Sequence, residues 1–162
     1  MGNKLFSQPN LSQQISQILT DTSLDALSLK LEITENVLAE NDELTIATLL
    51  QVKALGVQLS IDDFGTGYSS LSRLHRFPID ELKIDRSFVS KIGISKGNLE
   101  ITETILTLAQ KLGMSAIAEG IETAEQLARL RELNCAYGQG YFFSRPLPSQ
   151  AAEELIISKP QW

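Results

Sequence analysis

"SIDDFGTGYSSL", residues 60–71, ends an apolar segment with two adjacent acids and continues into a loop that contains two glycines. The residues before the acids, from residue 57 onward, have the composition of a buried β-strand. Gly65 and Gly67 allow tight turns that a Cβ would hinder. A short helix closed by Pro78 is predicted after the loop. The stretch therefore predicts a strand, a loop and a helix, with two carboxylates where the strand ends.

The same order of strand and helix recurs on both sides of this stretch. Strands are predicted at 27–34, 57–62, 81–85, 114–120 and within 137–146. Helices are predicted at 44–56, 69–77, 99–113, 123–134 and 149–157. Because strands and helices alternate about five times, we predict an α/β fold with one parallel sheet.

The overall composition excludes several classes of protein. The 162 residues carry a formal net charge of −6, so we expect no polymeric nucleic acid as a partner. No segment has the apolar length of a membrane span, so we expect no membrane contact by this segment. The single cysteine and the lack of a signal-peptide pattern favour a cytoplasmic protein, and a longer parent protein could still be tethered to a membrane.

Charged side chains follow four of the predicted strands, at or just beyond the point where each strand ends. They form four pairs: Glu32 and Glu35, Asp62 and Asp63, Lys83 and Asp85, and Glu119 and Glu122. The carboxyl ends of parallel strands meet at one edge of a sheet, so we expect these pairs to converge. Helix capping also explains each pair taken alone, but gathered acids repel one another unless cations neutralise them. The pattern therefore predicts a divalent-metal site.

The types of ligand narrow the choice of metal and of chemistry. Carboxylates without accompanying His or Cys ligands suit Mg²⁺ or Mn²⁺ rather than zinc. A pair of such ions can activate a water and stabilise the leaving oxygen of a phosphodiester. Three roles remain open for Lys83: it could orient or deprotonate the water, neutralise charge at phosphorus, or act as a structural counter-ion among the acids.

Five segments, taken in order, carry a family pattern. They are "LEITE" (31–35), "DDFGTGYSSL" (62–71), "LKID" (82–85), "AEGIE" (118–122) and "GQGYFFSRP" (138–146). Together they resemble the signature blocks of the EAL-domain cyclic di-GMP phosphodiesterases, and the resemblance spans nearly the whole chain. It implies a TIM-like (β/α)8 barrel that hydrolyses cyclic di-GMP to pGpG with Mg²⁺ or Mn²⁺ in bacterial second-messenger signalling.

The resemblance also implies roles for individual residues. The implied metal ligands are Glu32, Asp62, Asp63 and Glu119. The implied catalytic residues are Lys83, Glu122 and Asp85, with Lys83 next to the nucleophilic water, and Gln139 is implied to bind substrate. Glu35 would anchor a loop that sets metal and substrate geometry and lies at a dimer interface. That loop comprises Phe64, Gly65, Thr66, Gly67, Tyr68, Ser69 and Ser70.

The chain departs from the family in its length. A complete (β/α)8 barrel takes roughly 250 residues, and this chain supplies about five of the eight units. The Glu-Ala-Leu segment that names the family is absent, as are its metal-binding glutamate and a nearby substrate-binding arginine. The family's metal-binding asparagine would fall before Met1, and Asn3 does not take its place. We therefore expect residues 1–162 to be an N-terminally truncated EAL domain, the C-terminal two-thirds of the barrel.

Truncation has consequences for association and activity. Open sheet edges invite pairing, so we expect a homodimer or a swapped oligomer. We expect weak hydrolysis or none from this chain alone, and sensory or GGDEF-type domains in a parent protein. Two alternatives remain, a cyclic di-GMP receptor without turnover and a protein-interaction module.

Overall fold

The computed structural model describes residues 6, 8, 10–40, 43–67, 74–93 and 96–162, apart from the side chains of residues 38–40 and 96. Five strands in this part of the chain form one sheet in chain order, and all neighbouring strands are parallel. They are β1 (Lys30–Thr34), β2 (Gln58–Phe64), β3 (Glu81–Ile84), β4 (Ser115–Glu119) and β5 (Tyr137–Gln139). The predicted parallel α/β fold is confirmed.

Helices connect the strands. They are α1 (Leu11–Thr22), α2 (Glu35–Glu40), α3 (Glu43–Ala54), α4 (Arg86–Val89), α5 (Lys96–Lys111), α6 (Ala124–Glu132) and α7 (Ser149–Ser158). The sequence did not predict α1, α2 or α4. Helix α1 buries only a narrow stripe that includes Leu11 and Ile15, α2 has six residues, and α4 is a single turn. The predicted helix at 69–77 falls largely outside the described residues. No described helix combines the length and the apolar character that crossing a membrane requires.

The two faces of the sheet differ in chemistry. Successive residues of a strand point to opposite faces, so each strand contributes every second residue to each face. One face is apolar and fully buried, and includes Leu59, Ile61, Leu82, Ile84 and Ala118. The other face is mostly polar. It includes Lys30, Glu32, Ser60, Asp62, Glu81, Lys83, Ser115 and Glu119, with Ile117 between the last two. Side-chain contacts join these polar residues across the strands. The apolar face therefore forms the core, and the polar face is available for function.

The order of the strands leaves two edges. β1 and β5 each pair with a single neighbour among the described strands. Beside β5, the exposed aromatic side chains of Tyr137 and Tyr141 line a groove of about 920 Å³ together with Phe143 and Trp162. The expectation of open sheet edges is met within the described residues.

Candidate metal centre

Lys83 lies at the centre of the converging acids. Its side chain is only 8% exposed, and its Nζ lies 2.7 Å from Glu32 Oε1 and 2.8 Å from Glu119 Oε1. Asp62 Oδ1 accepts a third hydrogen bond from the same ammonium at 3.0 Å. The three carboxylates come from β1, β2 and β4, while Lys83 comes from β3. Four strands therefore each bring one charged group to the same point.

The protonation state of Lys83 follows from these contacts. Burial by itself would lower the pKa of Lys83, but the hydrogen bonds to Glu119, Glu32 and Asp62 outweigh burial and raise the pKa above its ordinary value. Lys83 is therefore an ammonium at neutral pH. An ammonium can donate a hydrogen bond to a water or neutralise a neighbouring negative charge, but it cannot take a proton from the water. Of the roles that the sequence left open, this state disfavours deprotonation of the water.

A β-bulge brings both adjacent aspartates to this end of the sheet. Ile61 pairs with Leu82, and Phe64 pairs with Ile84. Asp62 and Asp63 therefore both lie opposite Lys83, the one residue between Leu82 and Ile84 on β3. Asp63 adopts a φ of 55°, a left-handed conformation that aspartate tolerates better than most residues. The sequence showed the two acids, but not the bulge that places both of them at the rim.

The acids offer a set of ligands that suits a hard divalent cation. One carboxylate oxygen from each of Asp62, Asp63 and Glu119 lies within 4.8 Å of the other two. Burial, with the charges of Asp62 and Asp85 next, raises the pKa of Asp63. Burial also raises the pKa of Glu119, although Lys83 opposes this change. A bound cation would stabilise the ionised form of these carboxylates, and carboxylate oxygens are suitable ligands for Mg²⁺ or Mn²⁺.

Asp85 is both the cap of a helix and a neighbour of the acids at the rim of the sheet. It is the N-cap of α4, and its Oδ1 accepts a hydrogen bond of 2.9 Å from the backbone N–H of Ser87. Burial would raise the pKa of Asp85, but the hydrogen bonds from Ser87 and from Arg86 outweigh burial and lower it. The carboxyls of Asp85 and Asp63 also interact, which raises the pKa of Asp63 and lowers the pKa of Asp85. The capping acid therefore also contacts the rim.

Glu35 holds the loop that follows the aspartates. This side chain is buried at the start of α2, and its Oε2 accepts hydrogen bonds of 3.0 Å from the backbone N–H groups of both Gly65 and Gly67. A Cβ added at Gly67 would lie 3.1 Å from the Glu35 carboxyl carbon, so glycine allows the close approach. Phe64 is buried, and Thr66 Oγ1 donates to the backbone oxygen of Asp63.

The remaining loop residues of the predicted site, Tyr68, Ser69 and Ser70, lie outside the described residues.

Glu122 and Gln139 form no hydrogen bond or ion pair with Lys83 in the described part of the chain. Glu122 is exposed, and no ion pair among the described residues includes it. Its backbone N–H donates to Gln126 Oε1 at 2.7 Å, beside the capping box that Thr123 and Gln126 form at the start of α6. Helix capping therefore accounts for the contacts that Glu122 makes. Gln139 is exposed at the end of β5 and pairs in register with Glu119, which places it beside the rim.

Comparison with known proteins places this sheet and its acids in a family. A model of the EAL domain matches residues 1–146. The chain belongs to the EAL domain family. Cyclic di-GMP phosphodiesterase NbdA of Pseudomonas aeruginosa is 50% identical to it over 151 residues, which are 93% of this EAL chain and 19% of NbdA. The chain thus spans about a fifth of the length of this curated relative.

Solved EAL structures match the fold of the chain. The PaMucR phosphodiesterase in complex with c-di-GMP superposes with a TM-score of 0.88 at 36% identity, covering 94% of this chain and 62% of that one. A manganese and cyclic di-GMP complex of Klebsiella pneumoniae BlrP1 gives a TM-score of 0.80 at 32% identity, covering 88% of this chain and 36% of that one. The five parallel strands are therefore consistent with a truncated TIM-like barrel of the EAL type.

Sequence reasoning missed one buried acid on the polar face. Glu81 is 4% exposed, and it contacts Lys30, Ser60 and Ser115 through its two carboxylate oxygens. Alternation was the available signal, since Glu81 precedes Lys83 by two residues and must share its face. Glu81 was not predicted as a site residue because it lies at the start of β3, whereas the predicted site residues lie at the ends of strands.

Proposed function

We propose that this chain is the metal-binding part of an EAL domain that hydrolyses cyclic di-GMP to pGpG. The convergence of Glu32, Asp62 and Glu119 on the buried ammonium of Lys83 is the observation that carries the proposal. Similarity to proteins named cyclic di-GMP phosphodiesterases supports the substrate, and the manganese complex of BlrP1 supports the kind of metal.

The described acids would hold Mg²⁺ or Mn²⁺. Asp62, Asp63 and Glu119 offer oxygens at suitable separations, and Glu32 lies at the same end of the sheet. When bound, a pair of divalent ions supplies an activated water and stabilises the leaving oxygen of a phosphodiester. Protonated Lys83 offsets one of the negative charges of the acids it contacts, and its three N–H groups all donate to them. If one of these carboxylates turns to a metal ion, Lys83 would have a donor free to bind the water and to offset negative charge at phosphorus.

The residues around the acids would support this chemistry. Glu35 would keep the glycine loop against the site through its two backbone hydrogen bonds. Asp85 would help to orient Asp63 through the interaction between their carboxyls. Gln139, beside Glu119, would contact the substrate, as would Glu122 if α6 approaches it in the complex. The loop from Phe64 through Ser70 would complete the site and a dimer contact.

Hydrolysis is proposed to need more of the barrel than residues 1–162. The chain covers 62% of the PaMucR structure, and the sequence lacks the glutamate and asparagine ligands that the family resemblance implies. We therefore treat residues 1–162 as a partial EAL domain of a cytoplasmic protein, which could also carry sensory or GGDEF-type domains.

The open edges favour association of this chain with itself. β1 and β5 lack a second neighbour among the described strands, and apolar side chains line the groove beside β5. A parallel edge of this kind pairs readily with another strand. We expect sedimentation to show a homodimer or a swapped oligomer, and a clean monomer at all concentrations would contradict this expectation.

Cyclic di-GMP hydrolysis with Mn²⁺ tests the function. The 162-residue chain is compared with a version extended upstream to the full barrel, and pGpG is expected from the extended protein. In that protein Lys83→Met should lower turnover by about 10²- to 10³-fold, the usual effect of removing one donor that stabilises developing charge. Lys91→Met, at an exposed position after α4, is the matched control.

The outcomes separate the functions that the sequence left open. Binding of cyclic di-GMP without pGpG would identify a receptor. Absence of both binding and turnover in the extended protein would overturn the enzyme proposal and favour an interaction module.

A further inference from the structure

Three charged side chains are buried among the described residues: Glu35, Glu81 and Lys83. Glu35 holds the glycine loop and Lys83 holds the converging acids. Glu81 has no place in the proposed chemistry, although burying a carboxylate is costly unless partners compensate it. A buried charge with no assigned role requires an explanation.

The contacts of Glu81 extend to three other strands. Lys30 Nζ from β1 lies 2.8 Å from both carboxylate oxygens. Ser60 from β2 donates to Oε1 at 3.2 Å, and Ser115 from β4 donates to Oε2 at 3.2 Å. One carboxylate of β3 therefore ties together the four strands that supply the acids and the ammonium of the metal centre.

These contacts form a layer directly beneath the metal centre. We define the lower layer as Lys30, Ser60, Glu81 and Ser115, and the rim layer as Glu32, Asp62, Lys83 and Glu119. On β1, β2 and β3 each rim residue follows its lower-layer residue by two positions, and on β4 by four. Two positions along a strand return to the same face about 7 Å further on. Each rim residue therefore lies on the same strand and the same face as one lower-layer residue.

The two layers have opposite charge arrangements. In the lower layer a buried acid on β3 accepts from a lysine on β1, whereas in the rim layer a buried lysine on β3 donates to a glutamate on β1. Both ion pairs span β2, which lies between β1 and β3. Besides the backbone ladders that join the three strands, each layer therefore adds one side-chain link from β1 to β3.

We propose that Glu81 is a positioning residue for the metal centre. By holding β1, β2 and β4 at fixed distances from β3, it sets the spacing at which the rim acids surround Lys83 and a divalent cation. Where it concerns the cation, this role rests on the proposed function. Where it concerns the rim acids and Lys83 alone, it does not.

Glu81→Gln is the first variant, because it keeps the volume and removes the charge that binds Lys30. Its side-chain oxygen can accept from one of the two serines, which donate to different oxygens of Glu81, and its NH₂ group faces the other. Asp80→Asn is its matched control. Asp80 is the neighbouring residue and forms an ion pair with Lys53 of α3. It also accepts a hydrogen bond from the backbone N–H of Leu59 at 2.8 Å, which an asparagine oxygen can keep. The control therefore removes an ion pair at the same end of β3 without altering the lower layer.

Two measurements follow the rim layer directly. Titration with Mn²⁺ gives the affinity of the metal centre, and ¹H–¹⁵N spectra detect the Lys83 ammonium, identified by its loss in Lys83→Met. We expect Glu81→Gln to weaken Mn²⁺ binding by about 10-fold, the low end for groups that orient metal ligands. It should also shift or broaden the Lys83 signal. Asp80→Asn should change neither readout, even where it lowers the melting temperature by a similar amount.

A second pair of variants tests the route of the effect. Lys30→Met removes the same ion pair but leaves the buried Glu81 carboxylate without its cation, so it should weaken Mn²⁺ binding at least as much as Glu81→Gln does. The double variant should differ little from Glu81→Gln, because the ion pair is already lost in both. If Glu81→Gln fails to fold, Ser115→Ala removes one hydrogen bond to Glu81, together with the contact of 3.3 Å from the same hydroxyl to the backbone oxygen of Asp80, and a smaller change in both readouts is expected.

Two outcomes decide between positioning and simple stabilisation. If Glu81→Gln and Asp80→Asn lower the melting temperature while Mn²⁺ affinity and the Lys83 signal stay unchanged, the positioning role is overturned. If the protein extended upstream to the full barrel binds no Mn²⁺ but its Lys83 signal responds to Glu81→Gln and not to Asp80→Asn, the positioning role stands and the proposed metal chemistry fails.

Discussion

Replacing Glu35 with glutamine should loosen the glycine loop without unfolding the sheet. Both loop N–H groups bond to one oxygen, Glu35 Oε2, at 3.0 Å. A glutamine side-chain oxygen can occupy the same place, so Glu35→Gln removes the negative charge and keeps the acceptor. The variant therefore isolates the contribution of charge to the order of the loop.

The expected size of the effect follows from the two hydrogen bonds. A hydrogen bond to a charged group contributes about 1.5–3 kcal/mol, and a neutral one about 0.5–1.5 kcal/mol. The difference is about 1 kcal/mol for each bond, or about 2 kcal/mol for both. Because 1.4 kcal/mol is a factor of ten, local opening of the loop should become about 30-fold more frequent.

Amide hydrogen exchange at Gly65 and Gly67 measures this opening directly. Their exchange should accelerate about 30-fold in Glu35→Gln, whereas the amide of Ile61 within β2 should change little. Glu43→Gln is the matched control, because Glu43 is an exposed acid in the first turn of α3 and shares any helix-dipole effect. Unchanged exchange at both glycines would refute the idea that the Glu35 charge orders the loop.

Two further predictions concern the loop backbone and the acidity of the rim. Gly65→Ala should destabilise the chain more than Gly113→Ala in urea unfolding. Both have a positive φ, which costs an L-residue about 1–2 kcal/mol, but only a Cβ at Gly65 would press on Phe88, at 2.9 Å. Equal losses would show that the ring moves aside. Because protons compete with the metal, Mn²⁺ affinity should fall as the pH is lowered. The fall should begin at a pH above the ordinary carboxylate pKa values of 3.8 and 4.5, since Asp63 and Glu119 have raised pKa values. Without metal the sign is opposite, since these two acids contribute stability as pH falls through their folded pKa values. Titration and melting at several pH values check both signs, and affinity constant down to pH 3.8 would contradict the first.

Much of the fold could be predicted from local pattern. The strands and most helices were predicted within a few residues, because periods of two and of 3.6 are properties of short segments. Helix α1 was missed because its polar composition hides a narrow apolar stripe, and it gains stability by packing on α3. The bulge at Asp62 and Asp63 was missed because it depends on the register with β3.

The candidate site was predictable as a set of residue types and not as a set of contacts. Strand-end positions indicated that Glu32, Asp62 and Glu119 would converge, because parallel strands share one carboxyl edge. The sequence left helix capping open for Glu122, and the structure places its backbone N–H at the start of α6 while Glu119 binds Lys83. Glu119 ends β4 and Glu122 follows it by three residues, and only their surroundings distinguish their roles.

Which residues alternate onto the polar face follows from the order of the chain, because alternation depends only on neighbouring residues. The protonation of Lys83 and the burial of Glu81 depend instead on how distant strands pack. The partners of Lys83 include Asp62, 21 residues away, and those of Glu81 include Lys30, 51 residues away. A buried charge takes its properties from such distant partners, since removal from water makes their hydrogen bonds decisive.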